Sequence, residues 1–343
     1  MKERRHVTGK SNLFLRGSVL VLFGVFAFVV AGCGAGRFQR GGLRGRFQPP
    51  QPGAGTVSGS LNYQGRSRAY LVHVPPSYDG SRPLPLVLIL HGGMGNAAGT
   101  EKLTGLSAKA DKEGFIAVYP NGTGLLGDRI LTWNVGWGYG YALRNNVNDV
   151  GFLKALVANL ENRYSIDRNR VYATGISNGA MMSYRLASEA SDVFAAVAPV
   201  SGAAAGQKNA SSPLIVFPAP ARPVSVIAFN GRMDRMVPYD GGQGMGVTNA
   251  VYQPVSYSIS NWVGFDGCPP NPTRQVSADG NVITDSYAGG RGGSEVVLVT
   301  INNGGHAWPG AAGPAWQGGD QPANDISAND VMWDFFVRHP KSS

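Results

Sequence analysis

The sequence predicts an α/β fold with a mostly parallel, doubly wound sheet and helices on both of its faces. Apolar runs typical of strands buried inside a parallel sheet recur at 84–90, 194–200, 224–229 and 296–301. Segments with helical periodicity separate several of these runs, which gives the alternation of strands and helices that builds such a sheet. Between 171 and 187 a strand, a serine flanked by glycines and a helix follow one another directly.

The beginning of the chain is predicted to be a signal rather than part of the fold. Residues 1–32 combine a basic start with an apolar run from Val19 to Val30, the arrangement of a secretory signal peptide. The ending Val30-Ala31-Gly32-Cys33 resembles the lipobox of bacterial lipoproteins, which implies cleavage before Cys33 and lipidation of its thiol. Ordinary secretion and an uncleaved membrane helix are the alternatives, but the run is short for a span of about 20 residues. We expect a protein of the bacterial cell envelope or exterior, anchored to a membrane.

Residues 33–57 are predicted to be a flexible linker rich in glycine, proline and arginine. Of the formal net charge of +9, the signal contributes +4 and the linker +4, so that only +1 remains for residues 58–343. A nearly neutral domain argues against nucleic acid as a partner. The linker arginines suit anionic lipid or wall polymer near the anchor, or they are solvated without a specific role.

Residues 58–343 are predicted to form one catalytic domain. An antiparallel pair of strands at 58–63 and 68–74 opens it, and the run at 84–90 reads as a strand buried on both faces. The pattern then predicts a helix at 101–113, a strand at 115–119 and an amphipathic helix at 149–164.

A glycine cluster, His91-Gly92-Gly93-Met94-Gly95, follows the buried run at 84–90. Such a loop can present backbone N–H groups to a developing negative charge. We predict that the N–H groups of Gly93 and Asn178 are the two oxyanion donors. A turn that needs positive φ is the alternative, and both can hold at once.

Aromatic residues alternate with glycine in the segment 132–141, which begins Thr132-Trp133. Aromatic rings in such a run either line a binding face or pack on the domain surface, and the sequence leaves both open.

The pentapeptide Gly175-Ile176-Ser177-Asn178-Gly179 predicts a sharp turn between a strand and a helix, with the Ser177 hydroxyl exposed at the sheet edge. Glycines two before and two after the serine permit this turn. The pattern alone is weak in a chain with 49 glycines, and the flanking strand and helix are what favour a nucleophile.

An acid and a base are expected on loops after later strands. Asp234 follows the run at 224–229, and its rival Asp240 precedes two glycines like a turn residue. His306 follows the last run, and of the five histidines it is the one on a loop C-terminal to Asp234. The order Ser177, Asp234, His306 is that of a hydrolase triad.

Seven pieces of the chain carry a family resemblance. In order they are 68–75, 90–93, 133–134, 148–153, the serine turn, Asp234 with 237–239, and 305–310. Together they resemble the secreted alpha/beta-hydrolase esterases grouped as polyhydroxybutyrate depolymerases and feruloyl or acetylxylan esterases. The resemblance implies the alpha/beta-hydrolase fold, an ester substrate, Ser177 as nucleophile, His306 as base, Asp234 as orienting acid, and no metal or organic cofactor.

The chain also departs from that family pattern. Asn230 stands where a histidine is common, and the segment after Trp133 lacks the cysteines that many relatives carry. With Cys33 lipidated, Cys268 has no disulfide partner, so we expect a free thiol.

The function expected from these features is that of a serine esterase acting through an acyl-enzyme on plant cell-wall esters or polyesters. A serine peptidase of the same fold is an alternative, although the sequence before residue 60 shows no additional cap or propeller domain. A lipid-anchored binding protein without activity is another, and the intact triad candidates argue against it. Trp308, with Trp133 second, is the candidate for a substrate wall, or else these rings pack within the loops.

Overall fold

The computed structural model describes residues 55–246 and 248–341. Its strands coincide with the apolar and β-branched runs of the sequence, and its helices fill the segments between them. The strands are β1 (Gly55–Tyr63), β2 (Arg66–Val74), β3 (Leu84–Leu90), β4 (Ile116–Pro120), β5 (Ile166–Ile176), β6 (Ala196–Val200), β7 (Ala205–Gln207), β8 (Ile215–Val216), β9 (Ser225–Gly231), β10 (Gly242–Gln243), β11 (Val251–Tyr252), β12 (Thr273–Val276), β13 (Val282–Tyr287) and β14 (Val296–Ile301).

Ten of the described strands form one sheet in the order β1-β2-β4-β3-β5-β6-β9-β14-β13-β12. The pairings from β4 to β14 are parallel, and antiparallel strands close the sheet at both edges. A parallel strand needs a crossover connection, and helices supply most of the crossovers here. The four short strands β10, β11, β7 and β8 form a second, small sheet.

Helices cover both faces of the main sheet. They are α1 (Ala97–Thr104), α2 (Leu106–Glu113), α3 (Tyr141–Arg144), α4 (Asp149–Glu161), α5 (Asn178–Glu189), α6 (Val255–Asp266) and α7 (Ala328–Arg338). Residues of α4, α5 and α6 belong to one hydrophobic core, and residues of α1, α2 and α7 belong to the other.

Strand β3 shows why the sequence favours this layered arrangement. Leu86 and Leu88 point into the core with α4 and α5, while Val87 and Ile89 point into the core with α1 and α7. All seven residues of β3 are buried. Burying one such side chain stabilises the fold by about 1.5–3 kcal/mol, so the uninterrupted apolar run anchors both layers.

Several predicted boundaries change in the structure. The helix predicted at 101–113 is two helices, because Gly105 takes a left-handed φ of 63° that ends α1 and begins α2. The first strand begins at Gly55, before the predicted start of the domain at 58. The edge strands β12 and β13, the small sheet and helices α6 and α7 were not predicted from the sequence.

The fold brings four loops to one edge of the sheet. The segments after β3, β5, β9 and β14 all leave the carboxyl ends of parallel strands, where ligands bind in open α/β sheets. None of the helices in the described part of the chain is both long and apolar enough to cross a bilayer.

Candidate active site

Ser177 lies in the sharp turn between β5 and α5. Its φ of 57° and ψ of −119° are strained for a residue with a side chain, at a cost of about 1–3 kcal/mol. The Ser177 N–H donates to the Val200 carbonyl at 2.9 Å, which fixes the turn. A Cβ on Gly175 would lie 2.7 Å from the Leu90 carbonyl oxygen, and one on Gly179 would lie closer still. Both positions therefore require glycine.

The amino end of α5 presents N–H groups beside this serine. The first N–H groups of a helix have no partner inside it. A serine before a helix usually caps these groups with its own hydroxyl, but the Ser177 side chain makes no capping hydrogen bond. The N–H of Asn178, the first residue of α5, is thus placed to bind a negative charge.

The glycine loop after β3 packs directly against the serine turn. A Cβ added to Gly92 would lie 3.6 Å from the Ser177 Cβ. Gly93 is overlaid by the Tyr139 ring, because a Cβ at Gly93 would lie 2.8 Å from the Tyr139 Cζ and closer to its hydroxyl oxygen. The loop that contains Gly93 therefore lies next to Ser177, and Asn178 follows Ser177 in the chain; their role as oxyanion donors stays a prediction.

His91 holds the glycine loop in place rather than acting as a base. Its Nε2 accepts the Gly122 N–H at 2.9 Å, so Nδ1 carries the ring proton and donates to the Gly92 carbonyl at 2.8 Å. Burial lowers the pKa of His91 to about 4. A neutral imidazole with both nitrogens engaged fixes the loop and is unavailable for proton transfer.

Asp234 and His306 form a buried pair. The His306 Nδ1 lies 2.7 Å from Asp234 Oδ2, and both side chains are nearly inaccessible to solvent. The other carboxylate oxygen accepts the N–H groups of Met236 and Val237, each at 2.8 Å. With both oxygens of Asp234 accepting, His306 Nδ1 donates its proton to Asp234 and Nε2 is left free to accept one.

One cavity of ≈640 Å³ joins these groups. Gly93, Ser177 and His306 all line it, together with Met236 and Trp316. Its volume falls in the range of about 300–1,000 Å³ that is usual for small-molecule sites. The cavity can therefore admit a substrate to a serine, a histidine–aspartate pair and backbone N–H donors at the same time.

The family model described as Esterase PHB depolymerase matches residues 68–241, a region that contains the glycine loop, Ser177 and Asp234. The chain belongs to this esterase family. It is a carboxylic ester hydrolase, as the sequence predicts.

Curated relatives of this esterase family extend over most of the chain. One is a protein of Nocardia uniformis subsp. tsuyamanensis that bears the name esterase NocK, 32% identical over 78% of this chain and 80% of its own. Another is feruloyl esterase C of Emericella nidulans, 28% identical over 83% of this chain and 90% of its own.

The fold class is confirmed by solved structures. The acetyl xylan esterase from Aspergillus awamori aligns with a TM-score of 0.55 at 15% identity, covering 82% of this chain and 99% of that one. At that identity the likeness concerns the alpha/beta-hydrolase fold alone.

The two tryptophans predicted to form a substrate wall lie elsewhere in this esterase. Trp133 and Trp308 are at most 1% exposed, and neither lines the cavity. The Trp308 indole donates to Asn329 Oδ1 at 2.9 Å, and the Trp133 indole donates to the His91 carbonyl at 3.0 Å. Both rings stabilise loops, which is the packing alternative that the sequence left open.

Trp133 also connects the serine helix to a buried ion pair. The Asn178 side chain accepts the Trp133 N–H at 2.7 Å, and the next N–H, of Asn134, donates to Asp149 at 2.8 Å. Asp149 binds Arg68 at 2.7 Å, with both side chains almost fully buried. The family motifs at 68–75, 133–134 and 148–153 therefore meet in one network behind the turn.

Tyr139 of the aromatic segment 132–141 lines the cavity, one of the two alternatives for that segment, whereas Trp316 and Asp320 were not predicted from the sequence. Asp320 accepts the backbone N–H of His306 at 2.6 Å. A Cβ on Gly305 would lie 2.5 Å from the Asp320 Cγ, so the glycine before His306 permits this contact. A Gly-His pair followed by an acid in a glycine-rich loop is a weak signal, and only the fold joins residues 306 and 320.

The remaining predicted residues lie apart from the cavity. Asp240 is exposed, whereas Asp234 is the acid paired with His306. Asn230 donates to the Gly202 carbonyl at 3.3 Å. Cys268 is a buried thiol outside any disulfide among the described residues. Cys33, the predicted signal at 1–32 and most of the predicted linker at 33–57 lie outside the described residues; the linker prediction is wrong for 55–57, which belong to β1.

Proposed function

We propose that this esterase acts through a Ser177-His306-Asp234 triad and a covalent acyl-enzyme. His306 Nε2 takes the Ser177 hydroxyl proton as Oγ attacks the ester carbonyl. Collapse of the tetrahedral intermediate breaks the bond to the alcohol, which leaves with the proton from His306. Water then attacks the acyl-enzyme, gives its proton to His306 and releases the acid, which restores Ser177.

The observation that carries the proposal is the buried Asp234–His306 hydrogen bond of 2.7 Å on a cavity that Ser177 also lines. Two backbone N–H groups hold the Asp234 carboxylate against His306, where it stabilises the imidazolium that forms when His306 accepts the serine proton. In this arrangement Asp234 orients His306, and His306 acts as the base.

The backbone N–H groups of Gly93 and Asn178 stabilise the negative charge on the tetrahedral intermediate. Gly93 belongs to the loop after β3 and lines the same cavity as Ser177, and Asn178 is the first residue of α5, at its positive end. Losing one such donor costs about 2.7–4 kcal/mol of transition-state stabilisation in comparable hydrolases. The contacts of His91 and Tyr139 with this loop serve to keep its donors in position.

The substrate class follows from the relatives and the cavity. Relatives are named for feruloyl and acetylxylan esters, and the family is named for a polyester depolymerase. The cavity walls include Met94, Leu103 and Met236, apolar side chains that suit an acyl chain or an aromatic acid. We place this chain among hydrolases of plant cell-wall esters or polyesters, working without a metal or organic cofactor.

The N-terminal segment adds a location to this function. A signal peptide at 1–32, a lipidated Cys33 and a linker that ends where β1 begins at Gly55 would tether the domain to a membrane of the cell envelope. Globomycin, which blocks signal peptidase II, should then cause a precursor to accumulate, and Cys33→Ala should release the enzyme from the membrane fraction.

Hydrolysis assays with a small panel test the enzymatic proposal. The panel contains methyl ferulate, acetylated xylan, hydroxybutyrate oligomers and the para-nitrophenyl esters of acetate and butyrate. We expect turnover of at least one of them, and Ser177→Ala should abolish it with little change in substrate binding. Feruloyl or acetyl preference indicates cell-wall esters, and oligomer cleavage indicates polyesters.

Ser183→Ala is the matched control, because it removes a hydroxyl from α5, the helix that follows Ser177. That hydroxyl is buried and donates to the Gly179 carbonyl at 3.0 Å, so it does not line the cavity. Ser183→Ala should keep its activity. Equal activity of wild type and Ser177→Ala on every ester would contradict the proposal.

A further inference from the structure

A second concave surface adjoins the catalytic cavity. It has a volume of ≈780 Å³, and Tyr139 lines both spaces. We call it the cationic groove and define it by Trp137, Tyr139, Arg144, Lys208, Ile215 and Asn249. The groove and the catalytic cavity therefore share Tyr139 as a common lining residue.

Two cations in the groove lack partners. Arg144 ends α3 and Lys208 follows β7, and both are exposed. Neither takes part in an ion pair among the described residues, and no carboxylate belongs to the groove lining. Within the described part of the chain, no carboxylate therefore lies at ion-pairing distance from either cation.

Some other exposed cations on the domain do have acidic partners. Lys154 pairs with Asp192 at 2.8 Å, and Arg274 pairs with Asp285 at 2.6 Å. Concave surfaces lined by one sign of charge concentrate ligands of the opposite sign. Arginine binds carboxylates through paired hydrogen bonds, and lysine supplies a compact charge.

The rest of the groove suits the body of an organic ligand. Its lining includes the exposed Ile215 and the half-buried Tyr139, and Asn249 adds an amide, whereas the Trp137 side chain is almost fully buried. Apolar side chains with a few polar groups are the usual lining of sites for sugar or aromatic rings. A ring that carries a carboxylate suits both the positive charge and the apolar lining of the groove.

We infer that the cationic groove binds a carboxylate carried by the ester substrate, on the side of Tyr139 away from Ser177. The substrate class is then an acidic ester, such as an acylated polysaccharide with uronate groups on the same chain. This inference rests on the proposed esterase function and specifies its substrate.

Two pairs of substrates test the inference. For the alcohol side, acetylated xylan with uronate side groups is compared with the same polymer after its carboxyls are reduced to alcohols. For the acyl side, mono-para-nitrophenyl glutarate is compared with para-nitrophenyl butyrate. The measured quantity is the ratio of kcat/KM for the acidic ester to that for its neutral partner, at low and high salt.

The groove variant is Arg144→Gln/Lys208→Gln, and the control is Arg82→Gln/Lys112→Gln. The control removes the same charge from exposed positions beside the amino ends of β3 and β4. We expect the wild-type ratio for the polymer pair to fall about tenfold in the groove variant and to be kept in the control. The wild-type preference should also diminish at about 1 M salt, where the screening length is only about 3 Å.

If the groove variant lowers the ratio of kcat/KM only for the glutarate pair, the result would support the groove and place the carboxylate on the acyl side. An equal ratio in wild type and groove variant for both pairs, with Ser177-dependent hydrolysis intact, would overturn the inference and leave the esterase function standing. Absence of Ser177-dependent hydrolysis would instead remove the proposed function.

Discussion

Replacement of Gly93 by alanine tests the oxyanion loop through a single added methyl group. The new Cβ would lie 2.8 Å from the Tyr139 Cζ and closer to its hydroxyl oxygen, whereas ordinary contacts begin near 3.4 Å. The loop or the ring must therefore move by about 1 Å. A misplacement of about 1 Å can cost about 10²-fold in rate, and loss of the donor itself costs about 10²–10³-fold in kcat.

Steady-state kinetics on para-nitrophenyl acetate measures this effect. We expect kcat of Gly93→Ala to fall about 10²-fold while KM changes little, because the donor acts on the transition state. Gly92→Ala is the comparison, since its Cβ would meet ordinary contacts at 3.5 Å or more, and its loss should be much smaller. Tyr139→Ala should restore part of the activity of Gly93→Ala. A Gly93→Ala enzyme with wild-type kcat would refute the assignment of Gly93.

Three further predictions concern Asp234, Asp320 and Asp266. Asp234→Asn should lower kcat by about 10⁴-fold without unfolding the protein, because the amide cannot hold His306 in the tautomer that leaves Nε2 free; kinetics with circular dichroism checks this, and a loss below tenfold would contradict it. Asp320→Ala should lower kcat/KM about tenfold, because the His306 backbone loses its acceptor, and Asp320→Asn, which keeps an acceptor oxygen, should lose less; equal losses would argue against this contact. Burial raises the pKa of Asp266 to about 7, so the folded state keeps a proton that the unfolded chain releases near pH 4. The free energy of unfolding should therefore fall by up to about 4 kcal/mol as pH rises from about 4 to about 7, and Asp266→Asn should remove that slope in urea titrations; an unchanged slope would refute the assignment.

The central layers of the fold could be predicted from the sequence because their signals are local. The run at 84–90 is apolar at every position, which in an α/β protein requires cover on both faces. The break at Gly105 was missed because a single glycine inside a helical pattern is often tolerated. The edge strands β12 and β13 are partly exposed and carry polar residues, so their pairing depends on neighbours distant in the chain.

Some residues of the active site could likewise be predicted from local sequence, and others could not. Ser177 and Asn178 belong to one pentapeptide, and its glycines indicate the turn. The order of the three residues along the chain favours His306 as the base and Asp234 as the acid. The burial of Trp308 was not predictable, because an aromatic ring beside a candidate base fits a wall or a packed loop equally well. Asp320 contacts His306 only through the folding of a glycine-rich loop, and Arg68 meets Asp149 across 81 positions of sequence.

The most direct test of the central claim is covalent labelling with a fluorophosphonate, followed by mass spectrometry of the digested protein. We expect one adduct, on Ser177. It should be absent from Ser177→Ala, retained in Ser183→Ala and formed far more slowly in Asp234→Asn. Labelling of a different residue, or an unlabelled wild-type protein that still hydrolyses esters, would contradict Ser177 as the nucleophile.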